Sequence, residues 1–228
     1  MAMNQHLALF DLDHTLLPLD SDYEWGRFLV RTGAVDPVEY ERRNTGFYEQ
    51  YKAGTLDPVE YLEFALGAIS RFSRNQLDSW HERFMEEVIS PAILPAAREL
   101  LEKHVSQGDL VAIATATNRF VTAPIARAFG IENLIAAVPE ENADGSLTGR
   151  LAGIPTSGKG KVTSTENWLS SMGKSLDSFE KSYFYSDSHN DLPLLMRVTH
   201  PVATNPDSIL EEHAKSSNWK ILRLFDMR

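Results

Sequence analysis

From Pro91 onward the sequence alternates strand-like and helix-like segments, and that alternation leaves few folds open. "GDLVAIATAT", "NLIAAVPE", "SYFYSDS", "HPVATN" and "WKILRLF" are rich in apolar and β-branched residues, as strands are. Between them run segments with helical spacing. "NRFVTAPIARAFG" puts Val121, Ile125 and Phe129 on one face, with Asn118 as candidate cap and Gly130 as its stop. "KVTSTENWLSSMG", "HNDLPLLMRV" and "PDSILEEHA" read the same way, and "ADGSLTGRLAG" reads as a hairpin around Asp144 and Gly145. Strand, helix, strand in succession predicts an α/β fold with a doubly wound, mostly parallel, Rossmann-like sheet.

One more strand stands apart. "HLALFDL" near the N-terminus is short, apolar and separated from the alternating region by a long stretch of different texture. There, "SDYEWGRFLVRTGA", two segments opening on Asp-Pro, and "NQLDSWHERFMEEVI" all carry helical periodicity, and no strand is expected. The reading is therefore a core made of residues 1–18 and 90–228, interrupted by an all-helical insert over residues 19–89.

The N-terminal strand runs into Asp11 and Asp13, and carboxylates at the end of a buried strand are costly unless they are paired, metal-bound or used. Composition narrows their use. The 228-residue chain carries a net charge of −10, which disfavours nucleic acid and anionic membrane as partners. It contains no cysteine, so thiolate metal sites and disulfides are excluded. No apolar stretch approaches the ~20 residues of a membrane span, and no secretory signal is seen, so a cytoplasmic protein is expected. Nothing in the sequence sets an oligomeric state.

Ligands of open α/β sheets bind at the carboxyl ends of the strands, and other reactive residues fall there too. "VAIAT" ends in Thr115, followed by Asn118 at a helix start suited to an anion. "YFYSD" ends in Asp187, with Asp191 four residues on, and "SGKGK" places Lys159 and Lys161 ahead of a helix. Carboxylates converging on one edge call for a cation, and a few hard oxygens suit Mg²⁺. An EF-hand loop starting at Asp11 would need glycine where Leu16 stands. Mg²⁺, a hydroxyl, a lysine and a nucleophilic carboxylate are the equipment of phosphoryl transfer.

"FDLDHTL", "VAIAT", "GKGK" and "YSDSHND", in this order, resemble motifs I to IV of the haloacid dehalogenase superfamily, and the helical insert resembles the C1 cap of the subfamily that includes phosphoserine phosphatases. The resemblance implies a phosphomonoester hydrolase. Asp11 would be the nucleophile, Asp13 the acid–base, Thr115 a phosphate ligand and Lys161, preferred over Lys159, the neutralising lysine. Mg²⁺ would be held by Asp11, the Asp13 carbonyl and Asp187, with Asp191 supporting the metal or its water shell. Asp20, Asn118 and His189 would face the substrate, a small phosphorylated metabolite.

Two motif positions depart from the family pattern, His14 and Ser186, and both are read as tolerated. In the insert, Gly67 to Ile69 stand where phosphoserine phosphatases carry a carboxylate-binding arginine, and Arg71 is displaced from it. That disfavours phosphoserine, while Asp20, Asp22 and Glu24 favour a cationic substrate such as an amino-alcohol phosphate, histidinol phosphate being one. A phosphomutase of the same superfamily is the alternative, separated by whether water takes the phosphoryl group.

Overall fold

The computed structural model describes residues 6–225. Six strands form one parallel sheet: β1 (Leu7–Phe10), β2 (Leu110–Asn118), β3 (Leu134–Ala137), and, after a hairpin of β4 (Pro139–Glu141) and β5 (Leu147–Leu151), β6 (Ser182–Ser186), β7 (His200–Thr204) and β8 (Lys220–Leu222). The order across the sheet is β3-β2-β1-β6-β7-β8. The chain fills one side of β1 first and then the other, so the sheet reverses direction at β1 itself. Ligands of doubly wound sheets sit in the crevice that such a reversal opens.

β1 is a run of four apolar residues because both of its faces are covered. Leu7 and Leu9 join the cluster containing Phe184, Leu194 and Leu210; Ala8 and Phe10 join the one containing Trp25, Leu101 and Ile125. Phe10 stacks on Tyr185 at 4.6 Å between ring centroids, which ties the strand to β6.

Between β1 and β2 the chain is helical: α1 (Ser21–Arg31), α2 (Pro37–Ala53), α3 (Pro58–Ile69), α4 (Arg74–Phe84) followed by a π-helical turn (Met85–Ile89), the single turn α5 (Ser90–Ala92), and α6 (Pro95–Val105). Asp20, Asp36, Asp57 and Ser73 cap the first four helices with their side chains, as the sequence promised for the two Asp-Pro starts. Gly54 closes α2 in the left-handed conformation at φ 69°.

The remaining helices are α7 (Arg119–Ala128), α8 (Lys159–Ser171), α9 (Leu192–Leu195) and α10 (Ser208–Ser216). Three local expectations change. "NLIAAVPE" is two strands, broken at the exposed Val138, with the second turned away into the hairpin. "HNDLPLLMRV" opens on a 3-10 turn, His189–Asp191, before the short α9. "WKILRLF" pairs over only three residues at the sheet edge. The hairpin also packs against α3, so closely that a Cβ on Gly149 would stand 3.3 Å from the Gly67 Cα. Among the described residues no helix is long and apolar enough to cross a membrane.

Candidate active site

Asp11 lies one residue past β1, its backbone N–H still bonded to the Tyr185 carbonyl at 2.9 Å, so the carboxylate stands at the carboxyl end of the central strand. Lys161 reaches it from the first turn of α8. Its ammonium donates to Asp11 Oδ1 at 3.1 Å and to Asp191 Oδ2 at 2.7 Å, and the residue is 2% exposed. Lys159, by contrast, is exposed. The glycines beside Lys159 make this turn possible. Gly158 adopts φ 51°, and a Cβ on Gly160 would fall 2.1 Å from the Pro155 carbonyl oxygen.

Asp191 is fixed a second time by the Ser186 hydroxyl, which donates to Oδ2 at 2.7 Å. The serine at this motif position thus supports the lysine's partner. Asp187 accepts a hydrogen bond from Thr15 Oγ1 at 3.0 Å. The loop carrying Thr15 is pinned by Asn205, whose side-chain amide donates to the His14 carbonyl at 3.0 Å, and this holds His14 at φ 56°.

Asp13 faces the insert. Its Oδ1 accepts from the Ser21 N–H at the start of α1, and its Oδ2 accepts from Thr117 Oγ1, each at 2.8 Å. Thr115, 1% exposed, accepts from the Thr117 N–H at 3.1 Å and faces the same cavity. That cavity measures about 240 Å³. Asp11, Asp13, Thr115, Lys161 and Asp191 line one side; Asp20, Asp22, Tyr23, Tyr48, Tyr51 and Tyr61 from the insert line the other.

Burial dominates the electrostatics. It raises the Asp11 carboxyl above the ordinary carboxylate range, with Asp191 and Asp13 adding to the effect and Lys161 opposing it. Asp13 is raised by burial and by the charge of Asp20, against the hydrogen bonds from Ser21 and Thr117. Asp187 is raised well above its usual value by burial and by its two acidic neighbours. One ammonium cannot offset three buried carboxylates, so the site has room, electrostatically, for a divalent cation. Among the described residues no group of three or more Asp, Glu, His or Cys side chains is placed to hold an ion together. Asp11 and Asp187 are carboxylates, hard oxygen donors of the kind Mg²⁺ accepts in small number with water completing its shell. Asp191, expected to support the metal or its water shell, accepts from Lys161 and Ser186.

Two expected substrate contacts are corrected. Asn118 does cap α7, accepting from the Val121 N–H at 3.2 Å, but its amide turns to Asp22 and it does not line the cavity. His189 turns away to Asp207, meeting Oδ2 through both its backbone N–H and Nδ1 at 2.8 Å. Its neighbour Asn190 takes the cavity position. Thr117 was legible, since it shares a strand face with Thr115 at a spacing of two. The four tyrosines were not, because three different helices supply them.

The chain matches the family model of the haloacid dehalogenase-like hydrolases over residues 8–196. It is 43% identical over 218 residues to a histidinol-phosphatase of Neisseria meningitidis serogroup C, covering 96% of this chain and 98% of that one. It is 32% identical to a phosphoserine phosphatase of Mycobacterium tuberculosis, covering 94% of this chain and 69% of that one. Among solved structures, a Bordetella pertussis protein of unknown function superposes with a TM-score of 0.93 at 51% identity, covering 98% of this chain and all (100%) of that one. A substrate-bound phosphoserine phosphatase shares the fold at a TM-score of 0.68 and 18% identity, covering 96% of this chain and 92% of that one.

Proposed function

The chain belongs to the haloacid dehalogenase-like hydrolase family and is a phosphatase of that family, and from this premise we propose that it hydrolyses a small phosphate monoester through an aspartyl-phosphate on Asp11. The observation that carries the reading is the buried ammonium of Lys161, bonded to Asp11 on the wall of a cavity that also presents Thr115 and Asp13.

In the first step an Asp11 carboxylate oxygen attacks phosphorus, the bond from phosphorus to the ester oxygen breaks, and Asp13 gives the departing alkoxide its proton. A carboxyl raised by burial suits that donor role. In the second step Asp13 takes a proton from water as the water oxygen attacks the same phosphorus. The bond to Asp11 then breaks, releasing inorganic phosphate and returning Asp11 as a carboxylate and Asp13 as the protonated acid. Lys161 keeps Asp11 ionised and offsets charge on the phosphoryl oxygens, and Thr115 offers its hydroxyl to one of them. Asp11, Asp187 and the Asp13 carbonyl would hold Mg²⁺, which would supply the remaining positive charge.

Residues 19–89 act, in this reading, as a cap over the core of residues 1–18 and 90–228. The wall of Tyr23, Tyr48, Tyr51 and Tyr61 supports it, because an insert that lines the cavity shields the acyl phosphate from bulk water. Histidinol phosphate is the first substrate to test, on the strength of the Neisseria relative. Phosphoserine ranks below it, since among the described residues no arginine lines the cavity.

The experiment is phosphate release from a panel containing histidinol phosphate, phosphoserine and an uncharged aryl phosphate, with Mg²⁺ and after chelation. Release that needs Mg²⁺ and drops by about 10³-fold or more in Asp11→Asn supports the mechanism. Release that survives Asp11→Asn removes the nucleophile from it, and transfer to a second alcohol in place of free phosphate would make the enzyme a mutase.

A further inference from the structure

Three acidic residues follow the β1 loop, and the structure gives them different fates. Asp20 spends Oδ1 on the start of α1, accepting from the N–H groups of Asp22 and Tyr23 at 3.0 and 2.8 Å. Glu24 pairs with Arg27 at 3.1 Å and does not line the cavity. Asp22 is left without an adequate partner. It is 4% exposed and lines the cavity; its Oδ1 receives one long bond, 3.4 Å, from Asn118, and its Oδ2 receives none.

A buried carboxylate oxygen without a donor is costly enough that native proteins rarely keep one outside a site of use. Burial, Asp20 and Asp13 push the Asp22 carboxyl up to about 8, and the nearby Tyr61 hydroxyl only partly opposes them. The chain does not supply the missing cation from the cavity wall. Lys161 is the one basic side chain among the described lining residues, and it is committed to Asp11 and Asp191. Two arginines of the insert are used elsewhere: Arg71 donates to the Ala34 carbonyl, and Arg43 lies 4.5 Å over the Phe64 ring.

We propose that Asp22 binds a protonated nitrogen on the alcohol half of the substrate, so that the enzyme selects phosphate esters of cationic alcohols. The proposal rests on the phosphatase reading above and adds the residue that sets its specificity. Aromatic rings complete the subsite. Tyr23 and Tyr48 lie 5.0 Å apart on the same wall as Asp22, and Tyr61 stands beside it; π faces next to a carboxylate suit an ammonium or imidazolium ion. The cavity is thereby divided by charge, with Lys161 at the phosphoryl end and Asp22 at the other. An ester carrying a carboxylate would meet Asp22 and Asp20 there, with no guanidinium to receive it.

The test compares 4-aminobutyl phosphate with pentyl phosphate, a pair that differs by an ammonium in place of a methyl group. In the wild type the kcat/KM ratio should favour the amino ester, and Asp22→Asn should lower that ratio by about 10- to 100-fold. A ratio that stays within twofold overturns the proposal. Binding of both esters is measured in parallel in an Asp11→Asn background, by calorimetry, so that the answer does not depend on turnover. Loss of the amino ester's preference there on adding Asp22→Asn supports the subsite. Absence of a preference before the change, or its survival after it, overturns the subsite. If the wild type hydrolyses neither ester nor any in the panel, the phosphatase reading falls alone, and binding still decides the role of Asp22. Thermal melting of each variant checks the fold; replacing a buried carboxyl that has no adequate partner should leave the midpoint unchanged or raised.

Discussion

Thr117 Oγ1 donates a hydrogen bond of 2.8 Å to Asp13 Oδ2, joining the end of β2 to the acid–base candidate 104 positions away in sequence. With the Ser21 N–H on the other oxygen, Asp13 is held from both sides of the cavity. One grip belongs to the core and the other to the insert.

Thr117→Val should therefore loosen Asp13 without changing the shape of β2. We expect kcat to fall by about 10- to 100-fold, a fraction of what general acid–base catalysis supplies, with KM changed far less. Thr117→Ser restores the hydroxyl and should recover most of the rate. A Thr117→Val enzyme with normal kcat would show that Ser21 alone positions the carboxylate.

Lys161 makes a stability prediction as well as a catalytic one. The side chain is 2% exposed and bonded to two buried carboxylates. Burial alone would lower its pKa, but Asp11 and Asp191 more than reverse that and hold it raised. Lys161→Met strands both acids in a dry site, and breaking a buried pair costs about 3–5 kcal/mol. Adding Asp11→Asn and Asp191→Asn to Lys161→Met should return most of that loss, since the uncompensated charges go with it. Denaturant midpoints of the single and triple variants decide the point. Equal midpoints would mean that water reaches these groups in the folded state.

The sheet was legible because burial writes itself into composition: Leu7 to Phe10 has no polar residue to expose, and Asp11 and Asp187 each fall one residue past a strand, although β2 runs on past Thr115 to Asn118 and Asp191 sits in the turn after β6. Asp11 and Asp187 inherit their places from those strand ends, which is why their position was readable in the sequence. Residues that reach the site from outside the sheet were harder to see. Asn118 and His189 look like substrate ligands by position, yet the first is satisfied as the helix cap its place also suggested, and the second by Asp207, which lies far off in sequence. Asp20, Asp22 and Glu24 are indistinguishable as a string of acids. Only the path of α1 sorts them into a cap, an unpaired carboxylate and a surface ion pair.

His81 carries the pH prediction. It is 6% exposed on α4, packed against Trp25 and Phe120, with Nε2 bonded to the Val121 carbonyl at 3.1 Å. Burial lowers its pKa to about 4, with Arg127 and Arg74 also lowering it and Asp78 and the Val121 carbonyl opposing. A histidine buried neutral makes the unfolded chain bind more protons than the folded one between the unfolded value, about 6.5, and about 4. Stability is thus fully present above pH 6.5 and lost as pH falls through that window, by at most about 3 kcal/mol. His81→Phe keeps the aromatic packing and removes the proton. Its unfolding free energy should fall less steeply than the wild type's from pH 6.5 to 4. Parallel pH profiles would mean that His81 opens to water before it titrates.

Gly160 tests how tightly the lysine is delivered. A Cβ there would fall 2.1 Å from the Pro155 carbonyl oxygen, and backbone cannot yield as a flexible side chain can. Gly160→Ala must therefore move the turn that launches α8, whose next residue is Lys161. Helix propensity argues the other way, since alanine is favoured over glycine inside a helix by about 1 kcal/mol. At this contact sterics win. A displacement of even about 1 Å from productive geometry costs on the order of 100-fold in rate, so kcat should drop by that order. The loss should reside in the chemistry of every ester alike, unlike that of Asp22→Asn, which depends on the ester's charge. A Gly160→Ala enzyme with wild-type kcat would show that the turn can relax without carrying Lys161 away from Asp11.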